Sequence, residues 1–446
     1  MIVPIVLIPS TIADGLRIYR NLFPRSETYR HIEEYCTGLV VLDKPSIQRM
    51  SQCLVNGSCQ SSLNKAITSS PWSEQAVNQR RIESIAPYHY PGFTLGIVDS
   101  TFIHHPRGQT IYGVYKYWDY VENRYTYAIQ LVTAAISTGE RVDPFDYRIY
   151  HRSFETQEKR YLHHTAISNP EMDKAIWTRR LAELLAYQRN RLQVKTKSEL
   201  AVELIDHMEK SSFAPNAYAV DSGLFTPTII NRVEALNKPW VADSEKNRIL
   251  HYKGSRYNCQ TFNQTLKPQA FKEVTVRIGR QDKTRWIFSC TVRIRRYGKV
   301  RLAIIYSKPN KEGNPIYVFT NMLWWNAKKL LTVRLHRWDI EPLHEQIKQF
   351  LGAESSQLQT ETGVRKHLTL VFVVNSLLKS MDLSSPIGDL SMEWEDNEIP
   401  TFGQRCRRVI LEVFYDIITQ VHQWITTQTR TVPEIFQTLF RRLLHV

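Results

Sequence analysis

Apolar residues change their spacing several times along this chain, and each change predicts a different kind of element. Between residues 10 and 85 they recur every three or four positions in short runs, the period of amphipathic helices. Two such runs, 46–54 and 59–67, are joined by Val55, Asn56, Gly57 and Ser58. Short helices about an Asn-Gly turn predict either a helix-turn-helix or part of a small helical bundle. In the first case Gln60, Ser61, Asn64 and Lys65 form the polar face of the second helix. From residue 91 the period shortens. Residues 93–100, 109–118 and 125–135 are rich in β-branched and aromatic side chains and predict three strands in an antiparallel meander. Residues 171–210 return to helical spacing, 217–221 predict a short strand, 227–236 a helix and 239–242 another strand. That succession predicts an α/β layer. Strand character then resumes at 273–278, 284–294, 300–306 and 316–320, where arginine alternates with apolar residues to give one buried and one basic face. After Gly352 the pattern is helical again, through a buried run at 368–378 to an amphipathic helix at 433–444, and only 382–400 is loop-like and acidic.

Composition adds one strong constraint. At 446 residues, 42% hydrophobic and 23% charged, the chain has material for two or three cores. Its net charge of +15 favours a polyanionic partner, nucleic acid before an anionic membrane surface. The basic residues are spread over folded segments instead of gathered in a tail, which predicts basic surfaces on folded units. No apolar run reaches the length of a membrane span. Residues 1–9 are apolar but short, contain Pro4 and lack a basic lead-in, so no signal peptide is expected. The six cysteines form no CxxC pair, which argues against a zinc site or a disulfide framework and for reduced cytoplasmic thiols.

Two of the predicted strands end in an acid, Asp99 and Asp221. A third acid, Glu341, lies in the segment 334–352, with Arg337 four residues before it and Lys348 seven after it. Pro342 suits the first turn of a helix, which puts Glu341 at a helix mouth and Arg337 in the turn before. Carboxylates brought from three distant segments to one sheet edge suit hard divalent ions. Two such ions, about 3.5–4 Å apart, activate a water or a 3′-hydroxyl and stabilise the leaving oxygen of a phosphodiester. The cations beside Glu341 suit a phosphate. Taken singly, each acid is an ordinary strand-end, turn or helix-face residue. Asp206, Asp243 and Glu345 are the alternatives, Glu345 foremost because it lies one turn beyond Glu341. His104 and His105 have no partners at ligand spacing and read as loop or DNA-contact residues.

In this order the motifs resemble those of the DDE-superfamily transposases of bacterial insertion sequences. The branch concerned carries a signature of Tyr, two residues, Arg, three residues, Glu, six residues, Lys. Arg337, Glu341 and Lys348 fill it, with Arg334 where the tyrosine is expected. Further matches are Val98-Asp-Ser-Thr101, His105-Pro-Arg-Gly108, Ala219-Val-Asp-Ser-Gly223, Leu351-Gly352 and Gly363-Val-Arg-Lys-His-Leu368. The resemblance implies an α/β fold, an RNase H-like catalytic core interrupted by a β-rich insertion, with helical N- and C-terminal regions. The implied boundaries are a helical DNA-binding domain at 1–88, core at 89–246 and 326–380, insertion at 247–325 and a helical region at 381–446. The implied activity is Mg²⁺-dependent cleavage at the ends of an insertion sequence and strand transfer into target DNA. Asp99, Asp221 and Glu341 would hold two Mg²⁺ ions, with Mn²⁺ as a substitute. DNA contacts are expected from Arg337, Lys348, Arg334, His105 and Arg107, from Gln60, Asn64 and Lys65, and from Trp286, Arg293 and Arg295 in the insertion. Trp324 and Trp325 rival Trp286 as a surface for an extruded base, and Arg277, Arg285 and Arg296 share its basic face. The expected partners are double-stranded DNA, as terminal inverted repeats and target, and a second copy in a homodimer. The expected location is the bacterial cytoplasm, at the nucleoid and off the membrane. A nuclease that cuts without joining and a catalytically idle DNA-binding descendant are the alternatives.

Overall fold

The computed structural model describes residues 3–89, 92–119, 122–151, 174–192, 195–279, 281–383, 387 and 400–442. Most of the expected loop 382–400, the helix end beyond 442, and residues 171–173 and 193–194 lie outside these. Among the described residues the frame is a mixed sheet of twelve strands. In chain order they are β1 (Leu95–His104), β2 (Val114–Asp119), β3 (Arg124–Ser137), β4 (Val142–Tyr150), β5 (Ala217–Val220) and β6 (Trp240–Ser244), then β7 (Ile249–Tyr252), β8 (Ser255–Asn258), β9 (Lys272–Ile278), β10 (Gln281–Ile294), β11 (Gly298–Tyr306) and β12 (Ile316–Thr320). Neighbours follow the order β2–β3–β1–β5–β6–β12–β11–β10–β7–β8, with β4 on β3 and β9 on β10. β1 is antiparallel to β3 and parallel to β5, which is parallel to β6.

Helices cover both faces. The strands at the centre are therefore apolar on both sides, and successive residues enter opposite cores. Ile97, Ala219 and Val241 join the core that also contains Leu330, Leu331 and Val333 of the helix Ala327–Arg337. Val98, Val220 and Ala242 join the other, with Leu200, Leu204 and Ile205 of the helix Lys197–Glu209. The N-terminal helices share the first core with the long helices Glu361–Ser380 and Phe402–Thr426. An α/β architecture with helical ends and a β-rich insertion was expected, and the strand order meets it.

Four local differences have physical causes. β1 does not stop at Asp99 but runs on to His104, because Thr101 and Ile103 continue the buried alternation. β4 was not foreseen: Asp143, Pro144 and Asp146 break its apolar pattern, and the structure buries both acids against basic partners. The insertion does more than interrupt the layer; β12 lies antiparallel on β6 and so extends the core sheet across its open edge. Finally, 334–352 is three pieces: the end of Ala327–Arg337, the helix Ile340–Glu345 and a π-helical turn Gln346–Phe350.

Candidate active site

Strand register builds the site. Val98 pairs with Val220 across β1 and β5, and Val220 with Ala242 across β5 and β6. The next residue in each segment is an aspartate, so Asp99 in β1, Asp221 just past the end of β5 and Asp243 in β6 stand side by side across three adjacent parallel strands. Alternation sends them to the face of Ile97, Ala219 and Val241, where Ala327–Arg337 packs.

That helix answers the acids with two cations. Arg334 donates to Asp243 through Nε and Nη2, at 3.2 Å each. Arg337 lies with Nε 3.2 Å from Asp243 and Nη1 3.7 Å from Asp99 and 3.8 Å from Asp221. Both arginines are buried, at 5% and 3% exposure, so neither offers a free guanidinium to solvent. Arg334, expected at DNA, is occupied by an internal ion pair.

Glu341 opens the helix Ile340–Glu345 and is exposed, with Pro342 in the first turn as its ring requires. The break before it is held by the β3–β4 turn. Ser137 donates to Asp339 at 2.5 Å, and His336 Nδ1 lies 3.1 Å from the same carboxylate. Gly139 adopts φ +91° there, and a Cβ on it would come within 2.8 Å of the His336 ring. One turn past Glu341, the buried His344 bonds Thr133 at 2.8 Å, and Thr133 donates to the Asp99 carbonyl. Thr133 is the register partner of Asp99, so this chain ties the Glu341 helix to the strand bearing the first acid. Sequence reasoning missed Thr133, His344 and Asp339, and weighed Asp243 only as a substitute. Their signal was polar residues inside apolar runs.

The electrostatics are those of an under-neutralised acid cluster. Asp99 is pushed up to about 7, first by burial and then by the Asp221 carboxylate, with Glu341 adding to it. The Ser100 N–H, 2.7 Å from its carboxylate, and Arg337 pull the other way and do not offset this. Lys348, in the π-helical turn, is lowered by burial against the opposing pull of Glu354, Asp119, Glu341 and Glu345. Hard carboxylate oxygens with excess negative charge fit a divalent cation in donor chemistry. Asp99, Asp221 and Glu341 are a loose set, with Arg337 reaching both aspartates. Among the described residues, the group of three whose ligand atoms all lie within 4.8 Å is His104, Asp119 and Glu122.

The other expected contacts are scattered. His105 is 4% exposed and held neutral, lowered to about 4 by burial, so its ring has no face for DNA. Arg107 is exposed in the turn after β1. Gln60, Asn64 and Lys65 are exposed along the helix Gln60–Thr68, which packs on the helix Ile47–Cys53. Arg293 and Arg295 are exposed, while Val292 and Ile294 between and beside them are buried. Trp286 is half-buried against the core, as is Trp325; Trp324 is 77% exposed.

Among families of known proteins, the model described as DDE superfamily endonuclease matches residues 19–279, more than half of the chain. No curated protein matches it.

Proposed function

Because this chain belongs to the DDE superfamily endonucleases, we propose that it is the transposase of a bacterial insertion sequence. It cleaves DNA at the ends of the element and transfers the freed 3′-ends into target DNA. The observation that carries the reading is the register that sets Asp99 beside Asp221, with the Glu341 charge acting on Asp99.

In this reading Asp99, Asp221 and Glu341 hold two Mg²⁺ ions, for which Mn²⁺ substitutes. Bound there, the ions supply an activated water or 3′-hydroxyl and a sink for charge on the leaving oxygen. The protein's own residues do the rest. Thr133 and His344 fix the Glu341 helix against β1, and Lys348 brings a cation to the same edge for the scissile phosphate. Arg107, the exposed side chains of Gln60–Thr68, and Arg293 and Arg295 hold the duplex, and Trp324 offers a ring for an extruded base. A second copy pairs along the helix Phe402–Thr426. Leu411, Phe414, Ile418, Val421 and Ile425 recur on it at alternating steps of three and four, and four of the five are exposed.

The test is cleavage and joining of the element's own terminal DNA by wild type and Glu341→Gln, with Mg²⁺ and with EDTA, beside a gel shift. The expected result is cleavage and joined product in wild type, cleavage lost in the variant and in EDTA, and binding retained in both. Cleavage by Glu341→Gln at the wild-type rate would remove Glu341 from the site. Cleavage without joined product under any condition would make the enzyme a nuclease only.

A further inference from the structure

The row of strand-end acids has a third member, Asp243, outside the set of Asp99, Asp221 and Glu341. Asp243 is buried, accepts two hydrogen bonds from Arg334 at 3.2 Å each, and forms an ion pair with Arg337, whose Nε lies 3.2 Å away without a hydrogen bond. The far side of the Arg337 guanidinium lies 3.7 Å from Asp99 and 3.8 Å from Asp221. One planar cation therefore spans three carboxylates on three adjacent strands. Its closest partner is Asp243, and Arg334 pins the other side of that carboxylate.

We propose that Asp243 is a positioning residue of this site: it holds Arg337 against Asp99 and Asp221 and so sets how well a divalent cation competes for those two carboxylates. The inference rests on the three-acid reading given above. Without the Asp243 charge, Arg337 is left to Asp99 and Asp221 alone, which weakens cation binding there. The charge that is lost is one that Arg334 already pairs. Without Arg337, the two aspartates are released to the cation.

The test is Mn²⁺ binding to the full chain without DNA, followed through the electron paramagnetic resonance signal of the free ion. Binding that survives Asp99→Asn, including any at His104, Asp119 and Glu122, is subtracted. Asp243→Asn is expected to weaken the Asp99-dependent binding about fivefold, within the coupling found for residues of one ion-pair network. Arg337→Gln is expected to strengthen it. Once Arg337 is glutamine, Asp243→Asn should change it by less than about twofold, because the aspartate acts through the arginine. Equal losses in both backgrounds, or none in either, overturn the positioning role and leave the three-acid site standing. If Asp243→Asn does not fold, Arg337→Gln decides alone, and unchanged or weaker binding overturns the proposal. Mn²⁺ binding indifferent to Asp99→Asn overturns the three-acid reading itself.

Discussion

Asp99, pushed up to about 7 by burial and its acidic neighbours, ionises near neutrality, some three units above a free aspartate. Two pH effects of opposite sense follow. A carboxyl with a raised folded value binds its proton more tightly in the native state, so its contribution to stability falls as pH rises from about 4 to about 7. Metal binding needs the ionised form, so Mn²⁺ affinity should rise with pH over the same window and level off above it. Titrations at pH 5.5, 6.5, 7.5 and 8.5 check this, and an affinity flat over that range would contradict the shift. Among the tryptophans, Trp324→Ala should weaken binding to cleaved-end DNA by about 1–3 kcal/mol, the usual worth of a base–aromatic stack. Trp286→Ala should leave binding unchanged and lower thermal stability, since that ring packs on the core. Asp99 and Asp221 stood out in the sequence because each closes an apolar strand-like run. Arg334 was visible as a cation, but its partner was not. Whether it faces DNA or Asp243 depends on how β6 meets a helix some ninety positions later, which no local pattern encodes.

At the scale of elements, the short helix Ile340–Glu345 owes its place to contacts with β1 and β3 more than to its own six residues, too few to be stable alone. His344→Ala removes its bond to Thr133, and the expected cost is about 1–3 kcal/mol in a denaturant titration. Cleavage should fall as well, because the Glu341 carboxylate loses its register with Asp99. His344 is lowered to about 3 by burial, with Lys348 adding to it, so in the folded chain it stays neutral where the unfolded chain takes up a proton. Its share of stability is therefore present above about 6.5 and lost as pH falls from there, and the alanine variant should have a flatter acid limb. Strands with long apolar, β-branched runs, such as β3 and β11, were legible in the sequence. β4 was not, because Asp143 and Asp146 sit inside it. Asp143 is held well below the usual carboxylate range: burial pushes it up, but bonds from His89 and Arg141 outweigh that. A buried, fully paired acid and a solvent-exposed one look alike in a sequence.

At the scale of the whole molecule, one sheet among the described residues, with a core on each face, takes in the strands from β1 to β12. The C-terminal region reaches the N-terminal helices directly. Arg442 donates to the carbonyls of Ser51, Leu54 and Gly57, around the turn between Ile47–Cys53 and Gln60–Thr68. Among the described residues no helix is long and apolar enough to cross a membrane. In the function proposed above, the exposed apolar seam along Phe402–Thr426 takes a second copy of this chain. Ile418→Glu, at a position 67% exposed, should convert a dimer to a monomer in light scattering without lowering the melting temperature. A monomeric wild type would assign the seam elsewhere. The insertion carries a last consequence. Its final strand, β12, is the one against β6, and its earlier strands stack outward to a free edge at β8. Growth of this kind resembles accretion: hairpins such as β7–β8 can be trimmed from the rim or lengthened there. Length can thus be added or removed at that rim while the row of aspartates keeps its spacing.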